Sequence, residues 1–98
     1  MEFSPELRPR VLSGEITVTV RLWRNARVKV GGRYRIGPAE IEVDAVELLP
    51  FALIDETDLQ HTGETDREAL RRRTAHAGAV HDDTLVYRIE FHLVDELG

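Results

Sequence analysis

The sequence predicts an α+β fold: a small, mostly antiparallel β-barrel of about five strands, with a short N-terminal helix and a helical insertion before the last strand. Three observations predict it. Apolar and polar residues alternate from Ile16 to Trp23 and again from Leu85 to Val94, the period-two pattern of strands that bury one face. Gly31-Gly32 and Gly37-Pro38 cut the intervening chain into short pieces, as tight turns between strands require. Between Leu53 and Gly78 the apolar spacing becomes helical, which places helices ahead of the final strand. Ninety-eight residues make a single domain spanning positions 1–98.

In chain order, Met1 to Phe3 reads as a short strand. Pro9 restricts the first helix to a short turn from about Pro9 to Ser13, ended by Gly14, because an interior proline costs about 3 kcal/mol. Gly14 to Arg21 reads as the organising strand, with Ile16, Val18, Val20 and Leu22 on one face and Thr17, Thr19, Arg21 and Trp23 on the other. Arg24 to Val30 is a basic loop, Arg33 to Ile36 a short strand, and Ala39 to Leu49 a longer one. In the longer strand Ile41, Val43 and Ala45 share a face before the apolar positions shift to Val46 and Leu48. Such a phase change predicts a bulge near Ala45. A helical turn or two covers Asp55 to Gln60, Gly63 breaks it, and a helix follows from Asp66 to about His76. Thr65 and Glu68 have the spacing of a capping box for that helix, and Gly78 is its stop. Thr84 to Val94 is the clearest strand of all.

Composition bounds the function. A net charge of −5 argues against a broad, sequence-independent nucleic-acid binder, which depends on displacing counterions from phosphates. The charge is unevenly spread: residues 1–35 carry eight basic and three acidic side chains, a balance of +5, and the remainder five basic and fifteen acidic, a balance of −10. Without cysteine there is no disulfide framework or thiolate metal site. His61, His76, His81 and His92 lack both the helical i, i+4 spacing and the cysteine companions that argue for zinc, so no metal and no cofactor is expected. His81-Asp82-Asp83 reads as a turn. No apolar run approaches the ~20 residues of a membrane span, and the first residues lack the pattern of a secretion signal. A cytoplasmic location without a membrane partner is the expectation, and an uncovered edge of so small a sheet can pair into a homodimer.

The binding residues are sought on the polar face and its basic loop. Thr19, Arg21, Trp23, Arg24, Arg27, Lys29 and Arg33 offer an indole for a base, a stack worth ~1–3 kcal/mol, and cations for phosphates. The same residues have plainer readings: a lone tryptophan can belong to the core, and Arg21 can pair with a carboxylate. Arg71-Arg72-Arg73 fan around a helix and make no single patch, whereas Arg67 and Arg71, four apart, can. Cations toward a helix C-terminus are also favoured for their own sake.

With these residues in view, the chain resembles the activating signal cointegrator homology (ASCH) family, a relative of the pseudouridine synthase and archaeosine transglycosylase (PUA) barrel. The resemblance rests on Gly14-x-Ile16-x-x-x-x-Arg21 after a short helix, on the Gly-Gly-Arg-Tyr-Arg-Ile-Gly segment from Gly31 to Gly37, and on the late helix before a long final strand. It covers nearly the whole chain. It implies a PUA-like barrel with a cleft beside the motif strand, and RNA or a modified nucleoside as ligand. The family motif is GxKxxxxR, and here Ile16 stands at the lysine position. Some small bacterial members remove an acyl group from the exocyclic nitrogen of cytidine, using that lysine, a threonine three residues later and a glutamate in the helical region. Thr19 occupies the threonine position; the glutamate position falls at or near Thr62, with Glu64 the closest acid. Thr19 and Glu64 are thus the catalytic candidates that the resemblance supplies. A threonine hydroxyl attacks only when a neighbouring base takes its proton, which isoleucine cannot do. The expectation is therefore a module that binds RNA or a nucleotide without catalysis. An N4-acylcytidine amidohydrolase or an RNA-cleaving enzyme is the alternative, and a protein-interaction domain using the acidic later half is the third reading.

Overall fold

A computed structural model describes residues 2–94, the side chain of Ala77 excepted. Its elements are α1 (Arg8–Leu12), β1 (Val18–Arg21), β2 (Arg33–Ile36), β3 (Ala39–Pro50), α2 (Glu56–Thr62), α3 (Arg67–Thr74) and β4 (Leu85–Leu93). Single 3-10 turns cover Phe51–Leu53 and Ala75–Ala77. The sheet has the order β1-β4-β3-β2, and every neighbouring pair is antiparallel.

The α+β class stands, but the five-stranded barrel does not: among the described residues the sheet has four strands and is open. Its two edges, β1 and β2, are four residues each and are not joined to one another. The reason lies in the segment read as the organising strand. Ile16 donates its N–H to the Arg10 carbonyl at 3.1 Å and Thr17 donates to the His61 carbonyl at 3.0 Å, so these bonds go to α1 and α2 rather than to a neighbouring strand. Ile16 is thereby drawn into the core, 1% exposed. The inner strands are β4, which pairs with β1 and β3, and β3, which pairs with β4 and β2. The expected strand at residues 1–3 is not seen: Met1 lies outside the described residues, and Glu2 and Phe3 belong to no helix or strand. Phe3 nevertheless enters the core, its ring 5.7 Å from that of Phe91.

The register of β3 shifts between Val43 and Ala45, where the sequence predicts a bulge. Asp44 is the extra residue. The shift puts Val43 and Val46 into one apolar cluster with Ile89 and Val28, although the two valines lie three positions apart on a strand.

Helix α2 starts at Asp55, whose side chain accepts the Asp58 N–H at 2.8 Å while Asp58 accepts from the Asp55 N–H. This reciprocal pair is a capping box. The box expected at Thr65 and Glu68 does not form; Asp66 caps α3 instead, accepting from the Ala69 N–H at 2.8 Å. Aspartate serves at this position at least as well as threonine, and it starts the helix one residue later. Apolar side chains from α2 (Leu59) and α3 (Leu70) pack with Val20, Phe51 and Val86, fixing the helices against the sheet. No helix among the described residues is long and apolar enough to cross a membrane.

Gly63 ends α2 with φ 82°. A Cβ there would lie 2.6 Å from Cδ1 of buried Ile16. Both the backbone conformation and the space require glycine, so Gly63→Ala is expected to lower stability by more than about 1 kcal/mol. The check is a urea midpoint that falls while the slope is unchanged; an unmoved midpoint would refute the packing argument.

Candidate functional site

A cleft of about 770 Å³ opens beside β1. Thr19 and Arg21, two residues apart and so on one face of β1, line it together with Trp23 just beyond the strand. The other wall is α3 and the turn after it: Ala69, Arg72, Arg73 and His76 recur at the three-and-four spacing of a single helical face. Glu64, between α2 and α3, and the N-terminal residues Glu2 to Ser4 complete the lining.

Arg21 is held on all sides. Its Nε donates to Thr19 Oγ1 at 2.9 Å and its Nη2 donates to the Glu2 carbonyl. Its guanidinium carbon lies 5.0 Å from the Phe3 ring centre and 6.0 Å from that of Trp23, within range of cation–π attraction. Burial pulls the Arg21 guanidinium below its ordinary pKa, opposed by the nearby Glu2 charge. An arginine remains cationic regardless. Among the described residues it forms no ion pair, so of the two readings left open for Arg21 the salt bridge is not the one adopted. Trp23 is half-buried. Its ring packs 6.0 Å from that of Tyr87, with the Arg27 guanidinium 5.8 Å from the indole centre.

Across the cleft, Arg73 is committed to its neighbours. It donates to Glu64 through Nε, to Ser4 Oγ at 2.7 Å and to Glu6 at 3.3 Å, tying α3 to the N-terminal segment. Arg71 turns the other way, bonding Asp82 at 2.6 Å and the Val80 carbonyl at 3.0 Å. The three consecutive arginines thus divide, as helical geometry demands, but two of them meet on the cleft face. The lining holds four arginines and two glutamates, a balance of +2 on a chain whose net charge is −5.

Of the residues singled out in the sequence, Thr19, Arg21, Trp23, Arg27 and Glu64 come together here. Arg24, Lys29 and Arg33 do not line the cleft; Arg33 pairs with Glu42 at 3.0 Å on the neighbouring strand, and Arg24 and Lys29 are exposed. Ile16, at the family's lysine position, is in the core rather than on the cleft wall. Sequence reasoning missed Arg72, Arg73 and His76, although their spacing was the available signal. Apart from the cleft, Glu42, Asp44 and His92 bring potential metal-ligand atoms within 4.8 Å of one another; His92 Nδ1 is 2.9 Å from Asp44 Oδ1, so this group is already hydrogen-bonded internally.

The fold, an open antiparallel sheet with a helix-lined cleft along its short edge strand, is similar to that of ASCH domains. The particular structures it resembles bear this out. The ASCH domain from Lactobacillus crispatus JV V101 superposes with a TM-score of 0.69 at 19% identity, covering 90% of this chain and 70% of that one. Protein EF3133 from Enterococcus faecalis V583, described by the family model DUF984, gives 0.68 at 21% identity over 92% of this chain and 68% of the other. The hypothetical protein PH0355 gives 0.69 at 14% identity, with 94% of each chain covered. At these identities the likeness is one of fold. No protein-family model and no curated protein matches the chain.

Proposed function

We propose that the cleft binds RNA or a nucleotide, with Arg21 meeting a phosphate and the exposed part of Trp23 receiving a base. The observation that carries this reading is Arg21 itself: a half-buried cation, without an ion pair among the described residues, on the wall of a cleft of ligand size. Its bonds to Thr19 and to a backbone carbonyl fix the guanidinium without neutralising it, and they leave part of its five-donor fork free. A buried cation is costly without a counter-charge; an anionic ligand supplies one. The cleft volume falls within the roughly 300–1,000 Å³ of small-molecule sites.

The amidohydrolase reading has one observation in its favour, since Thr19 and Glu64 line the same cleft. The partner of the Thr19 hydroxyl is Arg21, which cannot accept a proton, and Glu64 is engaged by Arg73. Binding without catalysis is therefore the better reading.

The test uses the single tryptophan. Titrating its fluorescence with short single-stranded RNA should give a saturable change, weakening with salt at a log–log slope of roughly −2 to −3 for three or four phosphates. Arg21→Ala, followed by calorimetry, is expected to weaken binding about 10- to 100-fold, the worth of a charge-assisted hydrogen bond. Equal RNA binding by wild type, Arg21→Ala and Trp23→Ala would sink the proposal. Release of the acyl group from N4-acetylcytidine would replace it with the hydrolase.

A further inference from the structure

We propose that α3 and the turn after it supply the cleft with a second anion subsite, formed by Arg72 and His76, so that the ligand is a nucleotide or RNA segment bearing at least two phosphates rather than a free nucleoside. This rests on the binding reading above and narrows its ligand class.

The argument begins with who holds which carboxylate. Arg72 has one acid within helical reach, which is taken, and the other acids near this face are taken as well. Glu68, four residues earlier and ideally spaced for Arg72, bonds Arg71 at 3.4 Å instead. Glu64 and Glu6 are both engaged by Arg73. Arg72 makes no hydrogen bond or ion pair among the described residues, and it is exposed on the cleft wall. Four residues on, His76 lines the same cleft, next to Arg72 on the helical face, and it too makes no hydrogen bond among the described residues. Arg27, from the loop after β1, adds a further lining cation that is free of carboxylates; its contact is with the indole of Trp23.

The side chains able to meet an anion therefore belong to two groups on different elements. Arg21 is fixed and half-buried on β1, whereas Arg72 projects from α3 and His76 from the turn after it. A negative charge near the end of α3 is disfavoured by the helix dipole, so attraction there has to come from these side chains. The cleft is far larger than one phosphate, and a ligand that fills it reaches both groups. A nucleoside carrying phosphates on its 3′ and 5′ hydroxyls has its anionic ends apart and a base for Trp23.

The experiment is calorimetric titration of the full chain with cytidine, cytidine 5′-monophosphate, cytidine 3′,5′-bisphosphate and inorganic pyrophosphate. The bisphosphate is expected to bind about tenfold or more tighter than the monophosphate. In the double variant Arg72→Gln, His76→Gln that gain should vanish; both side chains are exposed, and circular dichroism checks that the variant is folded. Arg21→Gln should weaken both nucleotides. If the monophosphate and the bisphosphate bind equally, and both more tightly than cytidine, the second subsite is wrong while the binding reading stands. A gain that survives the double variant also overturns the assignment to α3. Pyrophosphate binding as tightly as the bisphosphate would mean a plain anion site and refute the nucleotide class. If none of the four binds, both readings fall.

Discussion

Phe51→Ala is expected to cost about 3–5 kcal/mol of folding stability, a large share of the roughly 5–15 kcal/mol that holds a typical domain together. Phe51 is fully buried in the cluster where the sheet meets the helices, against Val20 of β1, Leu59 of α2, Leu70 of α3 and Val86 of β4. Its ring also carries two guanidinium groups, Arg71 at 4.7 Å and Arg67 at 5.8 Å. Its backbone is bonded as well: the Phe51 N–H donates to the Thr84 carbonyl at 2.8 Å. Truncation would leave a cavity that these fixed neighbours cannot fill. Both walls of the cleft rest on this cluster, β1 through Val20 and α3 through Leu70, so ligand affinity should fall with stability. Thermal unfolding is the measurement, with an expected shift of more than about 10 °C. Leu53→Ala, two residues on and 63% exposed, is the control and should stay within about 0.5 kcal/mol of wild type. A loss below about 1 kcal/mol for Phe51→Ala would mean that the helical layer is not held by this ring.

The elements with strong periodicity were legible in the sequence. The alternation from Thr84 to Val94 became β4, and the phase change near Ala45 became the bulge that keeps Val43 and Val46 in one cluster. Misreading arose where a local pattern competed with a distant partner. Gly14 to Thr17 alternates like a strand, but the N–H groups of Glu15, Ile16 and Thr17 donate to the carbonyls of Arg10 and His61, and nothing in the local sequence announces those carbonyls. Barrel closure failed for the same reason: whether two short edges meet depends on twist and on what covers them, not on the residues within either strand.

The cleft was half legible. Thr19, Arg21 and Trp23 could be picked out because they occupy one face of a strand and its extension. The contribution of α3 could not, because the sequence does not say which face of a helix meets which strand. Once α3 is seen beside β1, Ala69, Arg72, Arg73 and His76 follow from spacing alone. Charge counting was similarly blind to pairing. It ranked Arg33 with Arg21, although the first is neutralised across the sheet by Glu42 and the second is not paired with any carboxylate among the described residues.

Arg88→Ala should be nearly as damaging as the loss of Phe51, and its pH dependence distinguishes its cause. From the middle of β4, Arg88 bonds Asp58 of α2 at 2.8 and 2.6 Å, Glu47 of β3 at 2.9 Å and Glu90 at 2.9 Å. Its side chain and that of Asp58 are 12% and 10% exposed. Hydrogen bonding to Asp58, more than offsetting burial, raises the Arg88 pKa. Burial alone would raise the carboxyl of Asp58, but bonds from Arg88 and from the Asp55 backbone outweigh it and hold the group below the usual carboxylate range. Removing Arg88 leaves three carboxylates facing one another without their cation, a change that in buried pairs costs about 3–5 kcal/mol. Asp58→Ala should cost less, since Arg88 keeps Glu47 and Glu90. In the wild type the contribution of Asp58, whose pKa is depressed on folding, is complete above its unfolded value of about 3.9 and is lost as pH falls through the lower folded value. In Arg88→Ala the lowering effect of the guanidinium on Asp58 is gone and burial, which raises its carboxyl, is left, so the native state takes up a proton first and stability should rise as pH falls from about 6 toward 4. Urea unfolding of both proteins across that window measures the two slopes. Parallel pH profiles would show that Arg88 acts by packing rather than by charge, and would remove the electrostatic account of how α2 is fastened to the sheet.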